Sequence, residues 1–211
     1  MKIAGTARVT CPACGVAQDC VLIQSINAER DGATKQRLLD GELNVLACAC
    51  GKRTQLAATL VFHDPSANWF GQVVPGGEQA MAAAARTMRA SEAGGTYRLV
   101  PSQNALVEKV KLLDAKLEDW AIEMAKVLLL ASLGGGELER VLLFDSIQWR
   151  TRTIHWVLFD HDGRDPTAMA SPLAAYDKLA ARSHGAPAAD ELRIDRAWGI
   201  EAVRVMIARA N

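Results

Sequence analysis

Neither sign of charge prevails in this chain of 211 residues: 24 lysines and arginines stand against 24 aspartates and glutamates. Whole-molecule attraction to a polyanion or to an anionic membrane is therefore excluded, and only a local basic patch could serve such a role. Histidines number four and aromatic residues make up 5%. No GxSxG, HExxH, P-loop or GxGxxG pattern occurs, which removes the common short motifs for acyl transfer, metalloproteolysis and nucleotide binding. The triple Gly134-Gly135-Gly136 is no phosphate loop, because no Lys-Ser/Thr follows it. No run approaches the roughly 18 apolar residues of a membrane-spanning helix; Val127 to Leu133 is short and interrupted by Ser132. The opening MKIAGTARVTC lacks the apolar core of an export signal, so the expected location is cytoplasmic, with no membrane partner.

What the chain does have is half its residues hydrophobic, the composition of a folded globular protein, and a pattern of cysteines. Cys11 and Cys14 stand in CPACG, and Cys48 and Cys50 in ACACGK. Each pair ends on a glycine, Gly15 or Gly51, the residue type freest to take the positive φ of a tight metal knuckle. In a reducing compartment two short-spaced pairs read as metal ligands rather than disulfides. Four thiolates hold Zn²⁺ tetrahedrally and leave no position open for substrate, so the expectation is structural Zn²⁺ on Cys11, Cys14, Cys48 and Cys50. A redox CxxC would open a helix after a strand, whereas Gly15 to Ile26 reads as loop and strand. Cys20, the fifth cysteine, reads as a small buried hydrophobe in that strand.

In chain order, Ile3–Val9 and Ala17–Ile26 read as strands, residues 29–40 as a short helix, and Asn44–Cys48 as a returning strand. Gln55–His63 and Trp69–Val74 flank the turn-rich DPSAN and read as a hairpin. The alanine-rich run Glu78–Ala93 predicts a helix that stops at Gly94-Gly95, followed by a short strand at Tyr97–Val100. Ser102 is placed to cap a long helix. Along it Leu106, Val110, Leu113, Leu117, Trp120, Met124 and Val127 recur at spacings of three and four, with Glu108, Lys111, Glu118 and Lys126 mostly off the stripe. The predicted rod of 30 residues, ended by the glycine triple, would measure roughly 45 Å. Such a stripe serves as core or as a homodimer seam. Asp119 and Glu123, four residues apart, read as a solvated acidic face. Glu139–Trp149 and Thr151–Phe159 read as consecutive strands, and Pro172–Ser183 and Ile194–Ala210 as closing helices.

The segments CPACG, GELNV followed by ACACG, FHDPSANWF and above all NALVEKVKLLDAKLEDWAIEMAK resemble the CpXC domain family of bacterial proteins over roughly residues 8–130. That family is named for two CPxC-type motifs, and the resemblance assigns its four cysteines to Cys11, Cys14, Cys48 and Cys50. The second motif departs from the pattern, since CAC lacks the proline and one spacer residue. The resemblance supports the fold and the metal and carries no activity.

The expected fold is α+β: an N-terminal zinc-ribbon-like antiparallel sheet, a long central helix, and a C-terminal β-hairpin with helices. The expected domains are residues 1–133 and 137–211. The leading functional expectation is a non-catalytic, zinc-stabilised scaffold or protein-interaction module. Trp69, Phe70, Trp149 and Trp156 are its candidate exposed aromatics, although burial in the core is the expectation for most of them. An enzyme, hydrolase-like, would have to assemble around His63, Asp64 and His161, since His63-Asp64 and His161-Asp162, with Asp160 beside the latter, are the only His–carboxylate clusters; His155 is a further candidate. A zinc-ribbon nucleic-acid reading rests on Lys52, Arg53 and Arg8, a thin footprint beside the usual basic stripe.

Overall fold

The computed structural model describes residues 4–90, 94–134, 137–160, 165–181 and 186–210. The chain divides into two compact units, Met1–Val107 and Glu108–Asn211.

Alternation of outward and half-buried residues shapes the start of the first unit. Strands β1 (Ala4–Thr10) and β2 (Ala17–Ile23) form an antiparallel hairpin in continuous register, from Ala4 opposite Ile23 to Thr10 opposite Ala17. The strand expected to run on to Ile26 stops at Ile23, and β3 (Ser25–Asn27) follows as a separate strand. After α1 (Gly32–Leu39) the second hairpin pairs β4 (Val45–Ala47) with β5 (Arg53–Gln55). Next, β6 (Leu60–Asp64) and β7 (Trp69–Val73) form the expected hairpin. Its turn is fastened by Asp64, whose Oδ1 accepts hydrogen bonds from the Ser66 hydroxyl (2.6 Å) and backbone N–H (3.0 Å). Helix α2 (Gly77–Ala90) and strand β8 (Thr96–Val100) complete a mixed sheet of order β3-β6-β7-β8, in which β3 is parallel to β6 and β8 to β7. One face of this sheet buries Ile26, Leu60, Phe62, Trp69 and Val73.

Helix α3 (Gln103–Asp114) begins as predicted, with the Ser102 hydroxyl accepting from the Ala105 N–H at 3.2 Å. The long rod is corrected at its other end. The chain leaves α3 at Ala115 and re-enters a helix, α4 (Asp119–Leu133), only after a turn. Lys116 takes a left-handed φ of +56°. Its N–H donates to the Leu113 carbonyl and that of Leu117 to the Leu112 carbonyl, each at 3.0 Å, the paired bonds of a Schellman helix end. The Glu118 N–H, which a continuous helix would bond within itself, is taken by the Tyr176 hydroxyl at 2.8 Å. Two helices therefore replace one.

In the second unit, β9 (Val141–Gln148) and β10 (Thr153–Phe159) form the expected hairpin, and β11 (Thr167–Pro172) adds an unexpected third strand in the order β11-β10-β9. Helices α5 (Leu173–Ala180) and α6 (Arg196–Ala210) close the chain. The core gathers Trp120, Met124 and Leu130 of α4 with Phe144, Ile154, Trp156, Leu173 and Tyr176. Gly199 lets α6 approach α4 closely: a Cβ there would sit 3.0 Å from the Glu123 carbonyl oxygen. From Leu117 onward the stripe (Leu117, Trp120, Met124, Val127) is spent on this core. The expectation of a solvated acidic face is overturned, because α4 is buried at every position from Trp120 to Val127, Glu123 and Lys126 included, and Asp119 is 12% exposed.

Candidate metal centre

Both cysteine pairs occupy hairpin tips, Cys11 and Cys14 between β1 and β2, Cys48 and Cys50 between β4 and β5. At the first tip the Gly15 N–H donates to the Cys11 carbonyl and the Cys11 N–H to the Val16 carbonyl, each at 2.9 Å. At the second the Gly51 N–H donates to the Cys48 carbonyl and the Cys48 N–H to the Lys52 carbonyl, again at 2.9 Å. The two closures are the same, with each step one residue shorter in the second. Gly15 (φ +74°) and Gly51 (φ +87°) supply the left-handed conformation that ends each knuckle. The shortened CAC motif therefore reproduces the knuckle of CPAC, because the missing spacer is absorbed before the glycine.

The four Sγ atoms all lie within 4.8 Å of one another. A single tetrahedral ion with Zn–S bonds of about 2.3 Å requires sulfurs about 3.8 Å apart. The observed contacts of 3.8 Å between Cys11 and Cys50 and 3.5 Å between Cys14 and Cys48 match that edge. The donor set fits one thiophilic ion. Cys11 and Cys48 are buried with Leu46, against half-buried Val9, Cys20 and Leu56, while Cys14 and Cys50 are exposed. Cys20 thus backs the cluster as a half-buried filler.

The backbone N–H groups of Ala13 and Cys14, pointing at the Cys11 sulfur, lower its pKa to about 6, against burial and with help from the neighbouring thiols. For Cys48 the Cys50 N–H pulls the pKa down, but the thiols of Cys14 and Cys50, burial and Cys11 prevail and push it up to about 12. Thiols this close resist joint ionisation, since each thiolate raises the cost of the next. A bound cation would remove that cost.

Sequence reasoning missed what holds the two hairpins side by side. Buried Asn44, at φ +52°, presents its side-chain amide to β2: Ile23 N–H donates to Oδ1 at 2.8 Å and Nδ2 donates to the Ile23 carbonyl at 2.9 Å. The amide stands in for a neighbouring strand. Gln18 Nε2 also donates to the Ala47 carbonyl at 3.2 Å. The signal was an asparagine, tolerant of positive φ, directly before a strand.

The other candidate residues are employed differently. His63 stacks on Phe70 with ring centroids 4.0 Å apart, and Phe70 on Tyr97 at 4.8 Å, three rings in register across β6, β7 and β8. Asp64 fastens its own turn. His155 lies in β10 opposite Ser146 and Ala170. His161 and Asp162 lie outside the described residues. Of the basic trio, Arg8 faces Asp19 at 3.5 Å and Arg53 pairs with Glu42. Trp69 and Trp156 are buried, Phe70 is half-buried, and Trp149 is 56% exposed. No helix among the described residues is long and apolar enough to cross a membrane.

Comparison with known proteins agrees with this geometry. No curated protein and no solved structure matches the chain. The family model described as CpXC protein matches residues 9–126, more than half of the chain, from just before the first knuckle into α4. With its four cysteines drawn into one cluster, the chain belongs to the CpXC protein family.

Proposed function

We propose that the protein is a non-catalytic interaction module whose first unit is stapled by one structural Zn²⁺ on Cys11, Cys14, Cys48 and Cys50. The observation that carries this reading is the convergence of four sulfurs from two hairpin tips to within 4.8 Å. Four thiolates complete a tetrahedron, so the ion would keep no site for substrate and would serve to fix the hairpins. The donor set suits zinc, or iron as the competing thiophilic metal. Exposed apolar residues on the first hairpin, Val16 at 55% beside the knuckle and Val21 at 66% further along β2, favour a protein partner over a solvent-only face. Pairing of Arg8 and Arg53 with carboxylates leaves little basic charge near the site and counts against nucleic acid.

Elemental analysis of the purified full chain tests the metal, with one zinc per chain expected. Cys14→Ser should lower metal content and the melting temperature together. A chain that carries neither zinc nor iron after metal-replete expression, or a Cys14→Ser variant with full metal and unchanged melting, would refute the staple. Equal recovery of any partner before and after chelation would refute the interaction role of the stapled unit.

A further inference from the structure

The four sulfurs are not equivalent. Cys14 and Cys50 are exposed, one from each knuckle; Cys11 and Cys48 are buried, again one from each. Two close thiol–thiol contacts cross from knuckle to knuckle, and each joins an exposed sulfur to a buried one: Cys14 with Cys48 at 3.5 Å, Cys50 with Cys11 at 3.8 Å. Each solvent-facing sulfur therefore has a sheltered partner on the opposite hairpin. A soluble peroxide meets the exposed member first, and the buried member is placed to attack the product.

We infer that peroxide converts the metal centre into two disulfides that cross between the knuckles, Cys14–Cys48 and Cys11–Cys50, releasing the ion while keeping the hairpins joined. The inference rests on the zinc reading above. In the first step the exposed thiolate of Cys14 attacks one peroxide oxygen, the O–O bond breaks, and Cys14 becomes a sulfenic acid as hydroxide leaves. The Cys48 sulfur then attacks the Cys14 sulfur, the S–O bond breaks, and a second hydroxide leaves. Two thiolates are oxidised by two electrons in all, and one peroxide is reduced to two waters after protonation. Cys50 and Cys11 repeat the sequence with a second peroxide. Two remaining thiolates bind zinc far more weakly than four, so the ion departs with the first disulfide. The sulfurs must close from 3.5 Å and 3.8 Å to a bond of about 2.05 Å, a shift available to side chains on adjoining hairpin tips. The result is a covalent cross-link in place of an ionic one, between the same two loops.

The test uses the full chain carrying Cys20→Ser, so that the fifth thiol cannot exchange into the products. Zinc content is measured first and tests the metal reading by itself. The protein is then treated with hydrogen peroxide in the presence of a chromophoric chelator, and the unreduced digest is mapped by mass spectrometry. The expected result is loss of all bound zinc, loss of four thiols, peptides linking Cys14 to Cys48 and Cys11 to Cys50, and recovery of both thiols and zinc on reduction. The oxidised protein should melt close to the zinc form, whereas chelated, alkylated protein should not. Disulfides within a knuckle, Cys11–Cys14 or Cys48–Cys50, overturn the inference, as does zinc retained beside sulfinic acids. Should the chain hold no zinc, mapping of the oxidised apoprotein still decides the pairing.

Discussion

The ammonium of Lys126 lies 2.8 Å from the carboxylate of Glu108 and 3.0 Å from that of Glu123, with all three side chains less than a tenth exposed. Glu108 also accepts the Phe144 N–H at 2.6 Å, tying α3 to β9. Lys109 reaches Asp119 at 3.1 Å, Glu123 at 3.4 Å and the Ile194 carbonyl at 2.6 Å. Five ionisable side chains thus form one buried network in the second unit. Each is satisfied by another, so the network is costly to break and far less costly to replace whole.

Removing one partner should therefore hurt more than removing two. Lys126→Met leaves Glu108 buried without its cation and Glu123 with Lys109 alone, and should destabilise the second unit by about 3–5 kcal/mol. Adding Glu108→Gln should restore a large share of that loss. Urea unfolding of the single and double variants checks this; a double variant as unstable as the sum of the two singles would contradict the coupling.

Alkaline stability follows from the same lysine. Burial alone would lower its pKa, but the carboxylates of Glu108 and Glu123 outweigh that and hold it above the ordinary 10.5. A lysine raised on folding contributes stability that is complete below its unfolded value and is lost as pH climbs through the folded one. Melting temperature should accordingly show no loss from this group between neutral pH and about pH 10, then fall steeply. The Lys126→Met/Glu108→Gln variant should show a shallower fall; identical alkaline profiles would count against the network.

Metal affinity should rise with pH, because the ion must displace thiol protons. With Cys11 at about 6 and Cys48 at about 12, these two thiols contribute one displaced proton between pH 7 and 9, from Cys48. Below pH 6 they contribute two. A plot of log affinity against pH, from chelator competition, should steepen below pH 6. A pH-independent affinity would mean that the thiols do not ligate.

The knuckles were legible in the sequence because cysteine, spacing and glycine all sit within five residues of one another. The break between α3 and α4 was not. Ala115, Lys116, Leu117 and Glu118 are all good helix formers, and what stops the helix is Tyr176, distant in sequence, taking the Glu118 N–H. The buried charges were hidden for a related reason. Periodicity places Glu108 and Lys126 off the apolar stripe, which predicts solvent only when one side of a helix is covered. In the second unit the strands, α5 and α6 enclose α4, so its polar residues are buried with the apolar ones and must pair with one another. The parallel pairings of β3 and β8 were also out of reach, since their partners lie beyond intervening helices.

Gly71 is the most crowded of the first unit's described glycines. An added Cβ would stand 2.5 Å from the Trp69 ring and 2.6 Å from the Leu106 methyl, and Trp69 and Leu106 are both buried. Neither neighbour has free space to retreat into, so Gly71→Ala should overpack this site and cost about 1–3 kcal/mol. Gly32→Ala, where an added Cβ meets nothing within 4 Å at the start of α1, should be neutral or slightly stabilising. Comparing the two by thermal unfolding separates steric crowding from the loss of glycine flexibility. If Gly71→Ala melted no lower than Gly32→Ala, the packing of Trp69 and Leu106 over β7 would be wrong.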